Sequence, residues 1–226
     1  SGIEKPELAD TIMSLMQDTW PKFILNDPVG SRCWIELYLR FPEFQLAYMN
    51  TQTNEIFAVA NSIPAFLKNV PEDLGERGWH WCIEKGLEDS DAGRSPNAQL
   101  PLAITVPKKY QTSQLGGFMI GHMKSVRISR KFKYFLGALR PNQKTQYPLI
   151  PFDQYVNWRR EDGLPFDAWI RAHWRVGARP IKPCYKSLVI EGSVADWEDW
   201  SGLIMPQSGL YIVPGALVPV KINVEE

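Results

Sequence analysis

The chain has 226 residues, 25 basic and 25 acidic side chains, and 44% apolar residues. This is ordinary globular composition, which excludes an intrinsically disordered chain, a collagen and a long coiled coil. No apolar run approaches the ~20 residues that a membrane-spanning helix needs, and no signal-peptide pattern opens the chain.

Apolar periodicity and turn residues predict helices and strands with no internal repeat or linker. The first two predicted helices end at Pro21 and Pro42, because proline interrupts a helix. In chain order, the predicted elements are a helix over 6–20, a helix over 34–41, strands over 44–49 and 56–63, a strand over 100–106, a helix over 115–126, a strand over 134–139, helices near 152–160 and 167–174, and strand-like segments at 185–190 and 211–222. This order indicates a single α/β or α+β domain over residues 1–226, built around a mixed sheet.

The three cysteines, Cys33, Cys82 and Cys184, are widely separated and lack metal-ligand spacing. We interpret them as buried free thiols and therefore expect a reducing, cytoplasmic compartment and no metal site. The chain begins Ser-Gly without a Met, which we interpret as the scar of a cleavage, so we expect a domain excised from a longer polypeptide.

Charge is unevenly distributed along the chain. Between Ala92 and Phe152 there is no acidic residue, and we call the ten basic residues of this segment the basic block: Arg94, Lys108, Lys109, Lys124, Arg127, Arg130, Lys131, Lys133, Arg140 and Lys144. Such a block attracts an anionic partner and steers its approach. No nucleic-acid recognition motif accompanies it, so a phosphorylated cofactor or a small acidic protein fits better, while a merely solvated basic face explains the charge equally well.

The segment VPKKYQTSQLGG joins the predicted strand over 100–106 to the next helix. A loop of small residues before a helix can hold an anion, because free N–H groups and the helix dipole point outward there. By itself, a loop with two glycines is more often only a turn.

The longer stretch ITVPKKYQTSQLGGFMIGHM resembles the acyl-CoA-binding segment of the GCN5-related N-acetyltransferase (GNAT) superfamily. In that family a splayed strand precedes a Gln/Arg-x-x-Gly-x-Gly/Ala loop that holds the coenzyme A pyrophosphate. The resemblance implies that coenzyme A or phosphopantetheine contacts Ile104, Val106, Gln111, Gly116 and Gly117. Gln114 stands where the first glycine of the motif belongs, which argues against tight coenzyme A binding because a side chain occupies the place of a close backbone approach.

Five longer segments resemble the GNAT-like decarboxylase domains of polyketide synthase loading modules: FAVANSIPAF, GWHWCIEKGLED, LRPNQKTQYPL, WRREDGLPFDAWIRAHWRVGAR and YIVPGALVPVKI. The resemblance covers nearly the whole chain. It implies a GNAT-like fold with a central mixed, mostly antiparallel sheet, a splayed strand pair and flanking helices.

The same resemblance implies an enzyme that decarboxylates a malonyl, methylmalonyl or dimethylmalonyl thioester on coenzyme A or an acyl carrier protein. The product is the starter unit of a polyketide, and neither a metal nor an organic cofactor is needed for the chemistry. The expected partners are the carrier protein and neighbouring polyketide synthase domains. Acyl transfer from acyl-CoA to the carrier's phosphopantetheine, N-acetylation of an amine, and a catalytically inactive docking domain remain alternatives.

Decarboxylation of a malonyl thioester produces an enolate, which needs hydrogen-bond donors at its oxygen and a proton source at its carbon. His173 falls where the family has its active-site histidine, and the resemblance implies that it donates to the thioester oxygen and protonates the carbon. Asn142 stands where the family has a threonine, and its amide can also donate a hydrogen bond to an oxyanion. His122 is expected in the core, and His80 is expected to pack between its neighbouring tryptophans.

Further substrate contacts follow from the resemblance with less detail. Trp34 matches an aromatic residue that lines the malonyl pocket, although plain core packing would explain it as well. The expected substrate-binding basic residues are Arg140, Arg175 and Lys186, with Arg179 as a rival. Within the basic block, we expect the carrier protein to dock on Lys124, Arg127 and Arg130.

Overall fold

The computed structural model describes residues 8–111 and 114–224. The helices are α1 (Ala9–Thr19), α2 (Lys22–Leu25), α3 (Pro28–Arg40), α4 (Gly78–Asp91), α5 (Leu115–Ser129), α6 (Phe152–Val156), α7 (Ala168–Arg175) and α8 (Val194–Ser201). The strands are β1 (Gln45–Met49), β2 (Ile56–Ala65), β3 (Ala98–Thr105), β4 (Tyr134–Phe135), β5 (Gly209–Tyr211) and β6 (Val220–Ile222).

These elements form two compact units. Unit 1 comprises the chain up to Trp20, Pro28–Ala138 and Cys184–Val189, and unit 2 comprises Pro21–Asp27, Leu139–Pro183 and the chain from Ile190 onward. The expectation of a single domain stays a prediction.

Unit 1 is built on a four-stranded sheet in the order β1-β2-β3-β4. The first three strands pair antiparallel, and β4 pairs parallel with β3, so the sheet is mixed and mostly antiparallel as expected. The central strand β2 reads IFAVANSIPA and is buried over nearly its whole length, because helices cover both faces. On one face Val59 and Ile63 join a core with Leu37 of α3, and on the other Ala58 packs with Met123 of α5.

The parallel pair β3–β4 separates soon after it begins. Only Ala98 and Gln99 of β3 are paired with β4, and the pairing stops before Pro101, which has no N–H to offer. Close approach continues briefly, since a Cβ on Gly137 would lie 2.5 Å from the Pro101 carbonyl oxygen. The rest of β3 has no β4 partner, and this is the splayed strand pair that the sequence resemblance implies.

Unit 2 has a separate core beneath a two-stranded antiparallel sheet, β5–β6. Its buried residues are Phe23, Trp197, Met205, Val213, Ala216 and Ile222. Phe23 of α2 and Trp197 of α8 bring their ring centroids within 5.6 Å, so the short α2 is held by aromatic packing.

Three helices are absent from the sequence-based prediction, and one predicted strand is wrong. The missed helices are the short α2, α4 and α8, and the segment over 185–190 is not a strand. Ser187 instead caps α4, because its Oγ accepts from the Trp79 N–H at 2.9 Å and its carbonyl accepts from the His80 N–H at 3.2 Å. Gly78 begins α4 with φ +43°, and a Cβ there would lie 2.5 Å from Ser187 Oγ. The segment's polar groups therefore serve a helix end rather than a sheet.

Across the described part of the chain, no helix combines the length and apolarity that crossing a membrane requires. Within residues 8–111 and 114–224, no group of three or more His, Cys, Asp or Glu side chains is arranged to hold a metal ion.

Candidate functional site

The residues expected to hold the thioester arm lie in unit 1. Ile104 lies on the part of β3 that is paired with β2 but not with β4, Val106 follows that strand, and Gly116 and Gly117 lie in α5. A register shift against β2 leaves Leu102 as an extra residue between Pro101 and Ala103. The shift reverses the alternation of side chains, so Ile104 faces α5 with Val106, whereas Leu102 packs with the opposite core. Both Ile104 and Val106 are half-buried beside the edge that β4 leaves open.

Between β3 and α5, the structure describes only part of the connecting segment. Thr112 and Ser113 of the expected anion loop lie outside the described residues. Gln111 is exposed, and its Nε2 donates to the Val106 carbonyl at 3.2 Å. Gln114 is exposed at the N-terminal end of α5 and makes no side-chain capping bond.

The first turn of α5 is open beside Gly117. Gly116 and Gly117 both lie in this turn, and among the described residues a Cβ on Gly117 would meet no atom within 4 Å. Gly121, one turn later, has the same free space. The space beside Gly117, in the turn to which the sequence resemblance assigns thioester contacts, could therefore admit a ligand without displacing atoms of the described residues.

His173 lies in unit 2 on α7, half-buried. Its Nδ1 is 3.0 Å from the carbonyl oxygen of Trp169, one turn earlier, and its ring meets that indole edge-on at 4.4 Å. A carbonyl can only accept, so Nδ1 carries the hydrogen. Burial lowers the pKa of His173, while the bond to the Trp169 carbonyl acts in the opposite direction. A lowered pKa favours the neutral imidazole near pH 7. With the hydrogen on Nδ1, the lone pair of that neutral ring lies on Nε2, so Nε2 can donate only if it is protonated.

Asn142 also lies in unit 2, directly before a 3₁₀ turn over Gln143–Gln146. The residue is exposed and its side chain makes no capping bond, while its carbonyl accepts from Thr145 Oγ1 at 3.2 Å. The next residue, Gln143, is bound to the beginning of α7, because its N–H donates to Asp167 Oδ2 at 2.9 Å. One hydrogen-bonded cluster therefore joins the turn of Asn142 to the helix of His173.

Asp167 and Tyr155 are members of this cluster that sequence reasoning missed. Asp167 is 2% exposed, and the Tyr155 hydroxyl donates to it at 2.7 Å. Burial, followed by this carboxylate, raises the pKa of Tyr155. The available signal was an aspartate at the first position of the predicted helix over 167–174, where an N-cap residue is typical.

The basic residues on either side of Asn142 in the sequence, Arg140 and Lys144, both donate hydrogen bonds to backbone carbonyls of unit 2. The Arg140 guanidinium donates to the Gly215 carbonyl, and burial lowers its pKa to about 10. Lys144 is fully buried, which lowers its pKa, and its ammonium donates to two carbonyl oxygens at 2.7 Å. At least one N–H of Arg140 is therefore committed to the protein's own backbone.

The remaining expected substrate contacts have different surroundings. Trp34 is buried in unit 1 and stacks on Trp79 with a centroid distance of 6.2 Å, and among the described residues its indole N–H has no partner. Lys186 and Arg175 are both exposed. Arg179 lies 4.0 Å over the Trp174 ring, so packing on an aromatic ring accounts for its position.

The basic block is not one uniform surface. In α5, Lys124 is exposed, but Arg127 donates to the Lys133 carbonyl at 2.8 Å. Arg130 lies just after α5, 3.7 Å from the Glu43 carboxylate. Lys144 is buried, so the charges most available to an anionic partner are a subset of the ten.

The other two histidines differ in exposure. The expectation that His122 is a core residue is wrong, because it is exposed on α5 and packs on Phe118 with a centroid distance of 4.1 Å. His80 is 4% exposed and contacts Trp79 edge-on.

Comparison with known proteins places these features in context. No family model matches the chain. It is 26% identical over 248 residues to an arginine N-acetyltransferase, avaD, of Aspergillus versicolor, covering 97% of this chain and 85% of that protein. It is also similar to the crystal structure of the loading GNATL domain of CurA from Lyngbya majuscula, with a TM-score of 0.61 and 18% identity over 79% of this chain and 83% of that one. The likeness confirms the GNAT-like fold.

Proposed function

We propose that this chain is an enzyme acting on acyl thioesters and that His173 is its general base. The observation that supports this role is the hydrogen bond from Nδ1 to the Trp169 carbonyl, which leaves the lone pair of a neutral ring on Nε2. Burial favours the same form by lowering the pKa. A neutral imidazole is suited to taking a proton near pH 7, and general base catalysis of this kind contributes about 10²–10⁴-fold.

In acyl transfer, Nε2 of His173 takes a proton from an amine or a thiol as that nucleophile attacks the thioester carbonyl. The carbon–sulfur bond then breaks, and the departing coenzyme A or phosphopantetheine thiolate receives a proton. The carbonyl oxygen carries negative charge in between, and one donor there is worth about 3–4 kcal/mol. We assign this donation to the exposed amide of Asn142.

For the thioester arm we propose the residues of unit 1 described above. A β3 edge without a β4 partner presents backbone groups to an extended ligand, and Gly117 leaves free space beside it. Coenzyme A, or the phosphopantetheine of a carrier protein, would supply the activated acyl group when bound. The acceptor is an amine, for which arginine is the first choice because the relative that covers 97% of this chain is named as an arginine N-acetyltransferase. The thiol of a carrier's phosphopantetheine is the alternative acceptor.

Decarboxylation of a malonyl-type thioester is the second candidate. The long motifs of the sequence favour it, and so does a fold shared with a loading GNATL domain. In this reaction Asn142 would donate to the enolate oxygen, and His173 would have to carry a proton on Nε2, which burial disfavours. An acyl carrier protein and neighbouring polyketide synthase domains would be the partners, in the cytoplasm.

One assay with two arms separates the candidates. The first arm measures acetyl transfer from acetyl-CoA to arginine and to a carrier protein. The second measures carbon dioxide released from malonyl, methylmalonyl and dimethylmalonyl thioesters on coenzyme A and on the carrier. His173→Ala should lower the observed activity by about 100-fold or more, whereas His122→Ala, which removes an exposed histidine, should not.

The pH profile identifies the role of His173. As a base, it gives a rate that rises with pH and levels off above a pKa lower than the ordinary 6.5. As a proton donor, it gives a rate that falls over the same range. Turnover in neither arm would overturn the proposal in favour of a catalytically inactive docking domain.

A further inference from the structure

The Asp167 carboxylate is almost fully buried, and both its oxygens are engaged. Oδ1 accepts from the N–H groups of Trp169 at 2.9 Å and Ile170 at 3.0 Å, which caps the N-terminus of α7. Oδ2 accepts from the Gln143 N–H at 2.9 Å and from the Tyr155 hydroxyl at 2.7 Å. The two oxygens therefore serve different elements: one holds the helix, and the other holds the turn that follows Asn142.

A second bond runs in the opposite direction between the same elements. The Ala168 N–H donates to Gln143 Oε1 at 2.7 Å. Gln143 thus contacts the start of α7 through both its backbone and its side chain, directly next to Asn142. Such a double connection fixes both the distance and the orientation of the turn relative to the helix.

The other side of this turn is held by a buried cation. The Lys144 ammonium donates to the carbonyls of Tyr147 and Leu217 and lies 5.8 Å from the centre of the Tyr155 ring. Tyr155 in turn donates to Asp167. The turn is therefore anchored on both sides, although its exposed residue Asn142 takes no part in the anchoring.

We propose that Asp167 is a positioning residue that sets Asn142 and His173 relative to each other, an inference that rests on the function proposed above. His173 lies six residues beyond Asp167, about 9 Å along the helix axis, so a small rotation at the helix start moves the imidazole. Misplacing a catalytic group by about 1 Å can cost 100-fold in rate. Asp167 needs no contact with the substrate to act in this way.

The test is Asp167→Asn, which separates the capping of α7 by Oδ1 from the bond of Oδ2 to the Gln143 N–H. Asparagine caps a helix about as well as aspartate, so its oxygen can keep the bonds to Trp169 and Ile170. Its amide nitrogen would then face the Gln143 N–H, and two donors cannot bond. We expect kcat for the reaction shown by the wild type to fall by roughly tenfold or more with KM nearly unchanged, the pattern of a lost transition-state interaction.

Gln143→Ala and Tyr155→Phe weaken the same bridge and leave the two capping bonds of Asp167 Oδ1 in place, although Gln143→Ala also removes the bond to the Ala168 N–H. We expect each to lower kcat by a smaller factor. If Asp167→Asn does not fold, the kcat values of these two variants test the proposal in its place.

Ser193→Ala is the matched control, because Ser193 caps α8 in unit 2 with a complete capping box. It should lower the melting temperature without changing kcat. If the bridge variants lower only the melting temperature, as this control does, the positioning role is overturned. If His173→Ala is inactive while the bridge variants keep full kcat, this inference alone fails. If His173→Ala itself keeps full activity, the proposed function fails, and the inference fails with it.

Discussion

The tautomer of His173 depends on one residue four positions earlier. On α7 the Trp169 carbonyl lies within reach of Nδ1, so the backbone itself selects the tautomer. The Trp169 indole covers one side of the imidazole and withdraws it from water. Position in the helix therefore selects the tautomer, and burial rather than this hydrogen bond lowers the pKa of His173.

This environment predicts an acid-sensitive contribution to stability. The folded state lowers the pKa of His173 below its ordinary 6.5, so the unfolded chain binds the proton more readily. The contribution is therefore fully present above about pH 6.5 and is lost as the pH falls through the lower, folded pKa. In urea unfolding at pH 7.5 and 5.5, the wild type should lose more stability than His173→Gln, which can still donate to the Trp169 carbonyl. Equal losses would show that the pKa is not lowered.

At the scale of elements, α5 contains two glycines that lower the stability of the helix and leave free space beside it. Gly117 and Gly121 each weaken the helix by up to ~1 kcal/mol relative to alanine, and neither is required by a close packing contact, because a Cβ would meet nothing within 4 Å. Gly117 lies in the turn where the sequence resemblance implies thioester contacts, and Gly121 lies one turn beyond it.

Opposite effects on stability and binding are therefore expected at Gly117. Gly117→Ala should raise the free energy of unfolding by up to ~1 kcal/mol. It should also raise the KM for the acyl thioester by roughly tenfold or more, because a methyl group enters the ligand's path. Gly121→Ala is the control, with a similar gain in stability and no change in KM. An unchanged KM in Gly117→Ala would contradict thioester binding along this turn.

At the scale of the whole molecule, the net charge is zero, yet the basic block contains ten cations and no acid. Tertiary contacts reduce its effect. Lys144 is buried, Arg140 donates to a carbonyl within unit 2, and Arg127 donates to the Lys133 carbonyl in unit 1. Of the three residues predicted to dock an acidic carrier, Lys124 is exposed on α5, whereas Arg130 lies 3.7 Å from the Glu43 carboxylate.

We therefore predict that Lys124→Glu weakens the binding of carrier-bound substrate more than the binding of substrate on coenzyme A. Its KM for a carrier-bound thioester should rise about three- to tenfold, and more at low salt, because long-range attraction is screened by ions. The KM for the corresponding coenzyme A thioester should change much less. Lys68→Glu, at an exposed lysine of unit 1 outside the basic block, is the control. A Lys124→Glu variant that behaves like this control with both substrates would exclude docking at this position.

The sequence by itself determined those features that depend on short-range patterns. Apolar periodicity located α1, α3, α5 and the strands β1 to β3, because each buries one face or both along a continuous segment. Long motifs identified the GNAT-like fold and placed His173 on a helix. A helix or strand that buries one face has apolar residues at regular spacing, and this spacing is visible in the sequence without coordinates.

Tertiary structure alone decided the features that depend on distant partners. Helix α4 escaped prediction because its N-terminus is capped by Ser187, more than 100 positions later, and 185–190 failed as a strand for the same reason. The role of Asp167 depends on Gln143 and Tyr155, and the tautomer of His173 depends on which nitrogen meets a carbonyl. Hydrogen bonds between residues far apart in the chain produce no repeating pattern in the sequence. Only the folded structure therefore shows which donor meets which acceptor.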